Sequence, residues 1–226
     1  MAIGRAAALG FAEAGAQVVG CDLNADACGE TILLAKERGL ELQAMSGVDL
    51  GDPDQAATWV DDAAALHGGV DILYNNASTQ RFGPISELTA ADWDFTMRNE
   101  LNLVFYATRA AWPHLVAGGG GAVLNVGSIA GLRGVEFTPQ NAHGAAKGGV
   151  ISLSRNLAVE GGPHRIRVNT ISPGLSETDN TRQFIADPSE DKPTDPMTAR
   201  CWGRWKSGST TPVRSSRRQM KGLSTP

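Results

Sequence analysis

The sequence predicts an α/β fold: a doubly wound parallel sheet of Rossmann-like type, with helices on both faces in three αβα layers. Three observations predict it. Short apolar runs of strand length alternate with helix-length stretches carrying an apolar side, from the start of the chain to Ile171. Several of the apolar runs end on polar residues, Asp22, Asp49, Asn75 and Ser128, as strands do when their carboxyl ends line a ligand crevice. Glycines at 15, 39 and 118–121 punctuate the alternation. With right-handed crossovers, such an order gives a parallel sheet covered on both sides.

The elements follow in order. Ile3, Ala6, Ala7, Ala8, Leu9, Phe11 and Ala12 form the apolar side of a first helix that Gly15 stops. Residues 16–21 read as a short buried strand ending at Asp22, and residues 25–38 as a helix ending before Gly39. A strand over 40–48 leads to Asp49-Leu50. Asp52-Pro53 is a strong helix start: the aspartate accepts a free backbone N–H and the proline suits the first helical position. That helix runs to about Leu66, and a strand over 70–74 precedes Asn75-Asn76-Ala77-Ser78. Thr89-Ala-Ala-Asp92 resembles a capping box ahead of one long helix over about 93–116. A strand over 122–126 delivers Ser128, a helix over about 142–161 carries His143 and Lys147, and the last strand spans 166–171.

Both ends depart from this scheme. A fold of this type opens with a buried strand and a glycine-rich turn, whereas Met1-Ala-Ile-Gly4 leads straight into a helix, so the first strand is expected to be missing and the chain N-terminally truncated. After about Asp187 the apolar periodicity disappears, and beyond Asp195 there is no acidic residue. Residues 188–226 are therefore expected to form an atypical, poorly ordered tail.

Composition narrows the function classes. The chain has 226 residues, 42% of them hydrophobic, enough for one α/β domain. A net charge of −4 gives no reason to expect nucleic acid as a partner. No apolar run has membrane-spanning length, so no membrane partner is expected. Cys21, Cys28 and Cys201 show neither a disulfide framework nor metal-ligand spacing, which points to a reduced, cytoplasmic setting and no metal.

The motifs are more specific. Ser128 stands fifteen residues before His143-Gly-Ala-Ala-Lys147, and His143 and Lys147, four apart on a helix, share one face. Arg167-Val-Asn-Thr-Ile-Ser-Pro173-Gly174-Leu-Ser-Glu-Thr178 follows the start of the last strand. In this order, over residues 2–185, these segments and Asn75-Asn76-Ala77-Ser78 resemble the short-chain dehydrogenase/reductase family. The Ser…Tyr-x-x-x-Lys of that family is matched by Ser128, His143 and Lys147, with histidine in the tyrosine position. The Asn-Asn-Ala-Gly turn is matched with Ser78 for glycine, and the Gly-x-x-x-Gly-x-Gly motif only by its last glycine, Gly4.

The resemblance implies an NAD-dependent oxidoreductase that interconverts a secondary alcohol and a ketone by hydride transfer, in an incomplete domain over residues 1–187. Ser128 would hydrogen-bond the substrate oxygen, His143 would be the acid/base, and Lys147 would bind the nicotinamide ribose. A cation one helical turn from His143 favours the neutral imidazole, which suits alcohol oxidation better than carbonyl reduction. The family holds a proton-relay water with a residue on the long helix. Matching Phe105 to the aromatic position usual on that helix in the family places Glu100 there, and a shift of one residue places Asn99 there. For the cofactor, the resemblance implies Gly4 at the pyrophosphate, Asp22 at the adenosine ribose, and Asp49 and Leu50 at the adenine. Asn76 and Ala77 would pack behind it, and Pro173, Gly174 and Thr178 would hold the carboxamide. An acid at position 22 repels the additional phosphate of NADP and so favours NAD. The family also implies a homodimer or homotetramer. The competing reading is a catalytically silent relative that at most binds nucleotide or partner subunits.

Overall fold

The computed structural model describes residues 2–135, 139–174 and 176. The tail over 188–226 and Thr178 lie outside the described residues. The order within them is α1 (Ala2–Glu13), β1 (Val18–Asp22), α2 (Ala25–Glu37), β2 (Leu42–Ser46), α3 (Pro53–His67), β3 (Ile72–Asn75), α4 (Ala90–Met97), a π-helical turn (Arg98–Asn102), α5 (Leu103–Ala117), β4 (Gly121–Val126), α6 (Asn141–Gly161) and β5 (Ile166–Ile171). The architecture is the αβα, Rossmann-like one that the alternation predicts. Every strand pairing is parallel.

Local sequence signals account for the helix starts. Asp52 accepts from the N–H groups of Asp54 and Gln55, with Pro53 in the first turn. Asn24 caps α2 in the same way. Thr89 and Asp92 form the reciprocal capping box. Each such cap satisfies backbone donors that the helix leaves open and contributes about 1 kcal/mol.

One feature follows from the missing first strand, and one differs from the expectation. The sheet is in two pieces, β1–β2 and β3–β4–β5, because the described chain offers no strand to lie between β1 and β3. The long helix expected over 93–116 is interrupted by the π turn at Arg98–Asn102, which carries the buried side chains of Asn99 and Glu100. One extra residue in such a turn changes which side chains face inward, and these turns gather at functional sites.

The core sits around the three-strand sheet. Val60 of α3, Leu73 of β3, Ala107, Ala111 and Leu115 of α5, Val123 of β4, and Ile166 and Val168 of β5 form one apolar cluster. Burying a side chain such as Leu115, fully enclosed here, contributes about 1.5–3 kcal/mol. A chain of amides and hydroxyls crosses this apolar interior. Asn75 and Asn125 face each other in the β3–β4 register. Asn75 donates to Asn125 (2.8 Å) and Thr108 (3.1 Å), Asn125 donates to Ser154 (2.8 Å), and Ser154 donates to the Val150 carbonyl (2.7 Å). This chain joins β3, β4, α5 and α6, the elements that frame the site.

Candidate active site

Four elements converge beyond the carboxyl end of β4. The strand ends at Val126, and Ser128 follows in extended conformation, its hydroxyl capping a short 3-10 turn by accepting from the Ala130 N–H at 3.1 Å. That turn docks against α6 at very short range. A Cβ added at Gly131 would lie 2.6 Å from the Gly148 nitrogen and 2.7 Å from the Lys147 carbonyl carbon, so only glycine permits the approach. The contact fixes Ser128 relative to His143 and Lys147.

The resulting geometry is a relay. His143 Nε2 lies 3.2 Å from Ser128 Oγ. His143 Nδ1 lies 2.8 and 2.9 Å from the two carboxylate oxygens of Glu100. An ionised carboxylate only accepts, so it takes the hydrogen on Nδ1; in the neutral ring Nε2 then accepts from the Ser128 hydroxyl, and in the imidazolium it donates to that oxygen. Glu100 is fully buried. It also accepts from the Ser78 hydroxyl at 3.2 Å and lies 3.8 Å from the Lys147 ammonium. A buried carboxylate persists only when paired and hydrogen-bonded, and here three side chains of complementary character surround it. Lys147 donates to the Val126 carbonyl at 3.1 Å. Burial pushes its pKa below the ordinary lysine value, and Glu100 opposes that shift. Phe82 stands edge-on to the imidazole, ring centres 5.7 Å apart, and forms a half-exposed wall at the mouth.

The charge balance expected from Lys147 alone is thereby corrected. A carboxylate touches the imidazole directly and lies within ion-pairing distance of the ammonium, so His143 does not face an isolated cation. Glu100 faces the site, while Asn99 donates to the Phe95 carbonyl of its own helix at 2.8 Å and accepts from Arg98.

The residues expected at the cofactor lie in α1, at the end of β1, and in the segments after β2, β3 and β5, with differing degrees of freedom. Gly4, in α1, approaches the Asn76 amide so closely that an added Cβ would meet its nitrogen at 2.5 Å. Asp22 ends β1, with one carboxylate oxygen taken by the Asn24 N–H at 2.9 Å. Ala77 is exposed after β3. The Pro173 carbonyl accepts from the Ile129 N–H at 3.1 Å, which places Pro173-Gly174 against the segment after Ser128. Leu50 packs on the apolar cluster of Leu103, Val104 and Val150.

Asp49 is more occupied than the sequence suggests. Arg98 donates to both of its oxygens, at 2.7 and 3.3 Å. That hydrogen bond holds the carboxyl below its ordinary pKa; burial opposes the shift, and the Gly51 N–H and the guanidinium charge add to it. A depressed folded-state value means that the stabilisation is complete above the unfolded pKa and is lost as pH falls through the folded one. Arg98→Gln should therefore lower stability at neutral pH by less than about 1 kcal/mol, since both partners are partly exposed. In urea titrations that difference should shrink below about pH 4, near the ordinary aspartate value. A difference that stays constant into strong acid would show that packing, not charge, is the cause.

Comparison with known proteins decides the family. A family model described as enoyl-(acyl carrier protein) reductase matches residues 1–201. The 2-dehydro-3-deoxy-D-gluconate 5-dehydrogenase of Escherichia coli (strain K12) is 35% identical over 82% of this chain and 72% of its own length. The chain belongs to the short-chain dehydrogenase/reductase family. The D-threitol dehydrogenase of Mycolicibacterium smegmatis is 36% identical over 78% of this chain and 67% of that protein. A short-chain dehydrogenase/reductase structure, the gluconate 5-dehydrogenase of Burkholderia cenocepacia J2315 in complex with NADP and tartrate, superposes with a TM-score of 0.75 at 27% identity, covering 91% of this chain and 74% of that one. A 7 alpha-hydroxysteroid dehydrogenase complexed with NADH and 7-oxo glycochenodeoxycholic acid gives a TM-score of 0.75 at 30% identity, over 82% of this chain and 71% of the other.

Three departures from the short-chain dehydrogenase/reductase pattern now fall into one contact set. Ser78 replaces the glycine of the Asn-Asn-Ala-Gly turn, Glu100 stands on the helix that holds the relay residue, and His143 replaces the tyrosine. The first donates to the second, and the second holds the third. Sequence reasoning named each position but did not join them. It missed Phe82 altogether, and also Asn125, Thr108 and Ser154 behind the site. The lone asparagine inside Val-Leu-Asn-Val was the available signal for the latter group, because an amide in a buried strand must find partners.

Among the described residues no group of side chains is arranged to hold a metal ion, and no helix is long and apolar enough to cross a membrane. Cys21 is a poor nucleophile, since burial and the neighbouring Asp22 push its thiol up to about 12.

Proposed function

We propose that this chain is an NAD-dependent oxidoreductase that interconverts a secondary alcohol and a ketone, with Ser128, His143 and Lys147 at the reacting centre and Glu100 positioning the histidine. The single observation that supports this most is the Ser78–Glu100–His143–Ser128 chain of contacts. A silent relative has no need to bury a carboxylate and surround it with donors, because burying charge is costly. The loss of tyrosine is thus accompanied by a replacement acid/base that carries its own orienting group.

The chemistry follows from these atoms. The Ser128 hydroxyl hydrogen-bonds the substrate oxygen. In oxidation, His143 Nε2 accepts the alcohol proton while Nδ1–H stays on Glu100, whose charge stabilises the imidazolium that forms. In reduction the imidazolium returns that proton to the ketone oxygen, so the relay serves both directions. Lys147 offsets the Glu100 charge and would hold the nicotinamide ribose when the nucleotide is bound. The nicotinamide supplies the hydride acceptor or donor when bound.

The residues present fit such a cofactor. Gly4 brings the start of α1 against Asn76, and Asp22 offers an acceptor at the end of β1. A carboxylate at that strand end supports NAD over NADP. Relatives named for sugar acids and a tetritol favour polyols and aldonates as first substrates. We place the reaction in the cytoplasm, consistent with the free thiols of Cys21 and Cys28. We also assign a homo-oligomer whose contacts use α5 and α6. There Phe105 is half exposed beside a shallow groove of about 400 Å³ lined by Leu101, Tyr106, Gly149 and Leu153.

The test is nucleotide absorbance with NAD and, separately, NADP against a panel of secondary alcohols, polyols and aldonates, alongside thermal unfolding with each reduced nucleotide. The expected result is NAD-dependent turnover that Ser128→Ala removes, and a raised midpoint with NADH. Nucleotide protection without turnover of any alcohol or ketone would instead support the silent binder.

A further inference from the structure

Beyond hydride transfer, we propose a second activity: hydrolysis of small activated carboxylic esters through an acyl-enzyme on Ser128. It shares Ser128 and His143 with the oxidoreductase reading but needs no dinucleotide.

A serine becomes nucleophilic when a base within hydrogen-bond reach takes its proton and a third group holds that base in the correct tautomer and orientation. Here the hydroxyl lies 3.2 Å from one ring nitrogen and a carboxylate 2.8 Å from the other. The three groups come from three separate elements, the tip after β4, α6 and the π turn. The Ser128 oxygen already accepts the Ala130 N–H, so its own proton is free to lie toward Nε2. The carboxylate is fully buried and the imidazole side chain is 12% exposed, which shields the pair from solvent while leaving the hydroxyl partly open. The backbone N–H of Ser128 takes no hydrogen-bond partner among the described residues and is the donor the proposal assigns to the oxygen of an attacked carbonyl. Phe82 supplies an apolar wall suited to an aryl leaving group.

The step balances without a co-reactant other than water. Ser128 Oγ forms a bond to the ester carbonyl carbon as its proton moves to His143 Nε2. The carbon–oxygen bond to the leaving group breaks, and that group departs as the alcohol or phenolate, the proton passing to it or to solvent. Water then attacks the acyl carbon while giving a proton to Nε2. The Oγ–carbon bond breaks, Ser128 regains its proton from the imidazolium, and a carboxylic acid is released.

The full-length chain, freed of nucleotide, is assayed with p-nitrophenyl acetate. Hydrolysis above the buffer rate is expected, and Ser128→Ala and His143→Phe should each lower it by about 10²-fold or more. Acid quenching of the wild-type protein should leave one acetyl group on the peptide carrying Ser128, a readout independent of how any variant folds. Glu100→Gln keeps an acceptor for Nδ1 but removes the charge, so kcat should fall at unchanged KM and the acidic limb of the pH–rate profile should move. Equal rates for wild type and Ser128→Ala, or acetylation of lysine alone, would overturn the proposal. Alcohol oxidation without ester hydrolysis would overturn it and leave the redox reading standing. Ester hydrolysis without any nucleotide-dependent turnover would do the opposite.

Discussion

His143→Phe is expected to lower nucleotide-dependent alcohol oxidation by about 10²–10⁴-fold, the usual contribution of a positioned acid/base. The phenyl ring keeps the packing against Phe82 but offers no nitrogen to Ser128 or Glu100. NADH protection against thermal unfolding should persist, because His143 contacts none of the strand ends assigned to the dinucleotide. Turnover at the wild-type level would remove the histidine from the chemistry. His143→Tyr is the more discriminating partner experiment. A phenol oxygen replaces only one of the two ring nitrogens, so the contact to Ser128 and the contact to buried Glu100 cannot both be kept. Turnover below the wild type is expected, and an increase would show that the imidazole is a handicap in this site.

The second large effect concerns stability. Asn125→Leu should destabilise the protein by about 2–4 kcal/mol, since it strips a buried acceptor from Asn75 and a buried donor from Ser154 at once. At roughly 2–4 °C per kcal/mol for a chain of this size, the loss is visible in a thermal melt. Leucine keeps the branched outline of asparagine but is apolar and bulkier, so the cost arises from orphaned polar groups and some crowding, not from a void. A change below about 0.5 kcal/mol, the range of ordinary surface substitutions, would mean that the amide chain contributes little.

Much of the fold is legible in the sequence, for identifiable reasons. The caps at Asn24, Asp52 and Thr89 act over two or three residues, so local sequence determines them. The strand ends at Asp22, Asn75 and Ser128 are readable because a polar side chain directly after an apolar run marks where the chain leaves the sheet for solvent or a crevice. The choice between Asn99 and Glu100 is not readable in this way. A match anchored on Phe105 leaves a one-residue ambiguity, and the π turn over 98–102, which adds a residue to the helical repeat, lies between that anchor and the site. Nor are the ties of Glu100 to His143 and of Asn75 to Asn125, which join positions 43 and 50 residues apart and arise only when the helices and strands pack. Asp49 reads as an open acid at a strand end, yet Arg98, 49 residues away, closes on it in the folded chain.

The division of the sheet has a consequence for how ligand and scaffold depend on each other. No backbone ladder runs from β1 to β3 among the described residues, so side chains span the gap: Phe11 of α1 meets Tyr74 of β3 edge-to-face, and Arg98 clasps Asp49, which follows β2. A dinucleotide lying across both sets of strand ends would then act as a rivet between them.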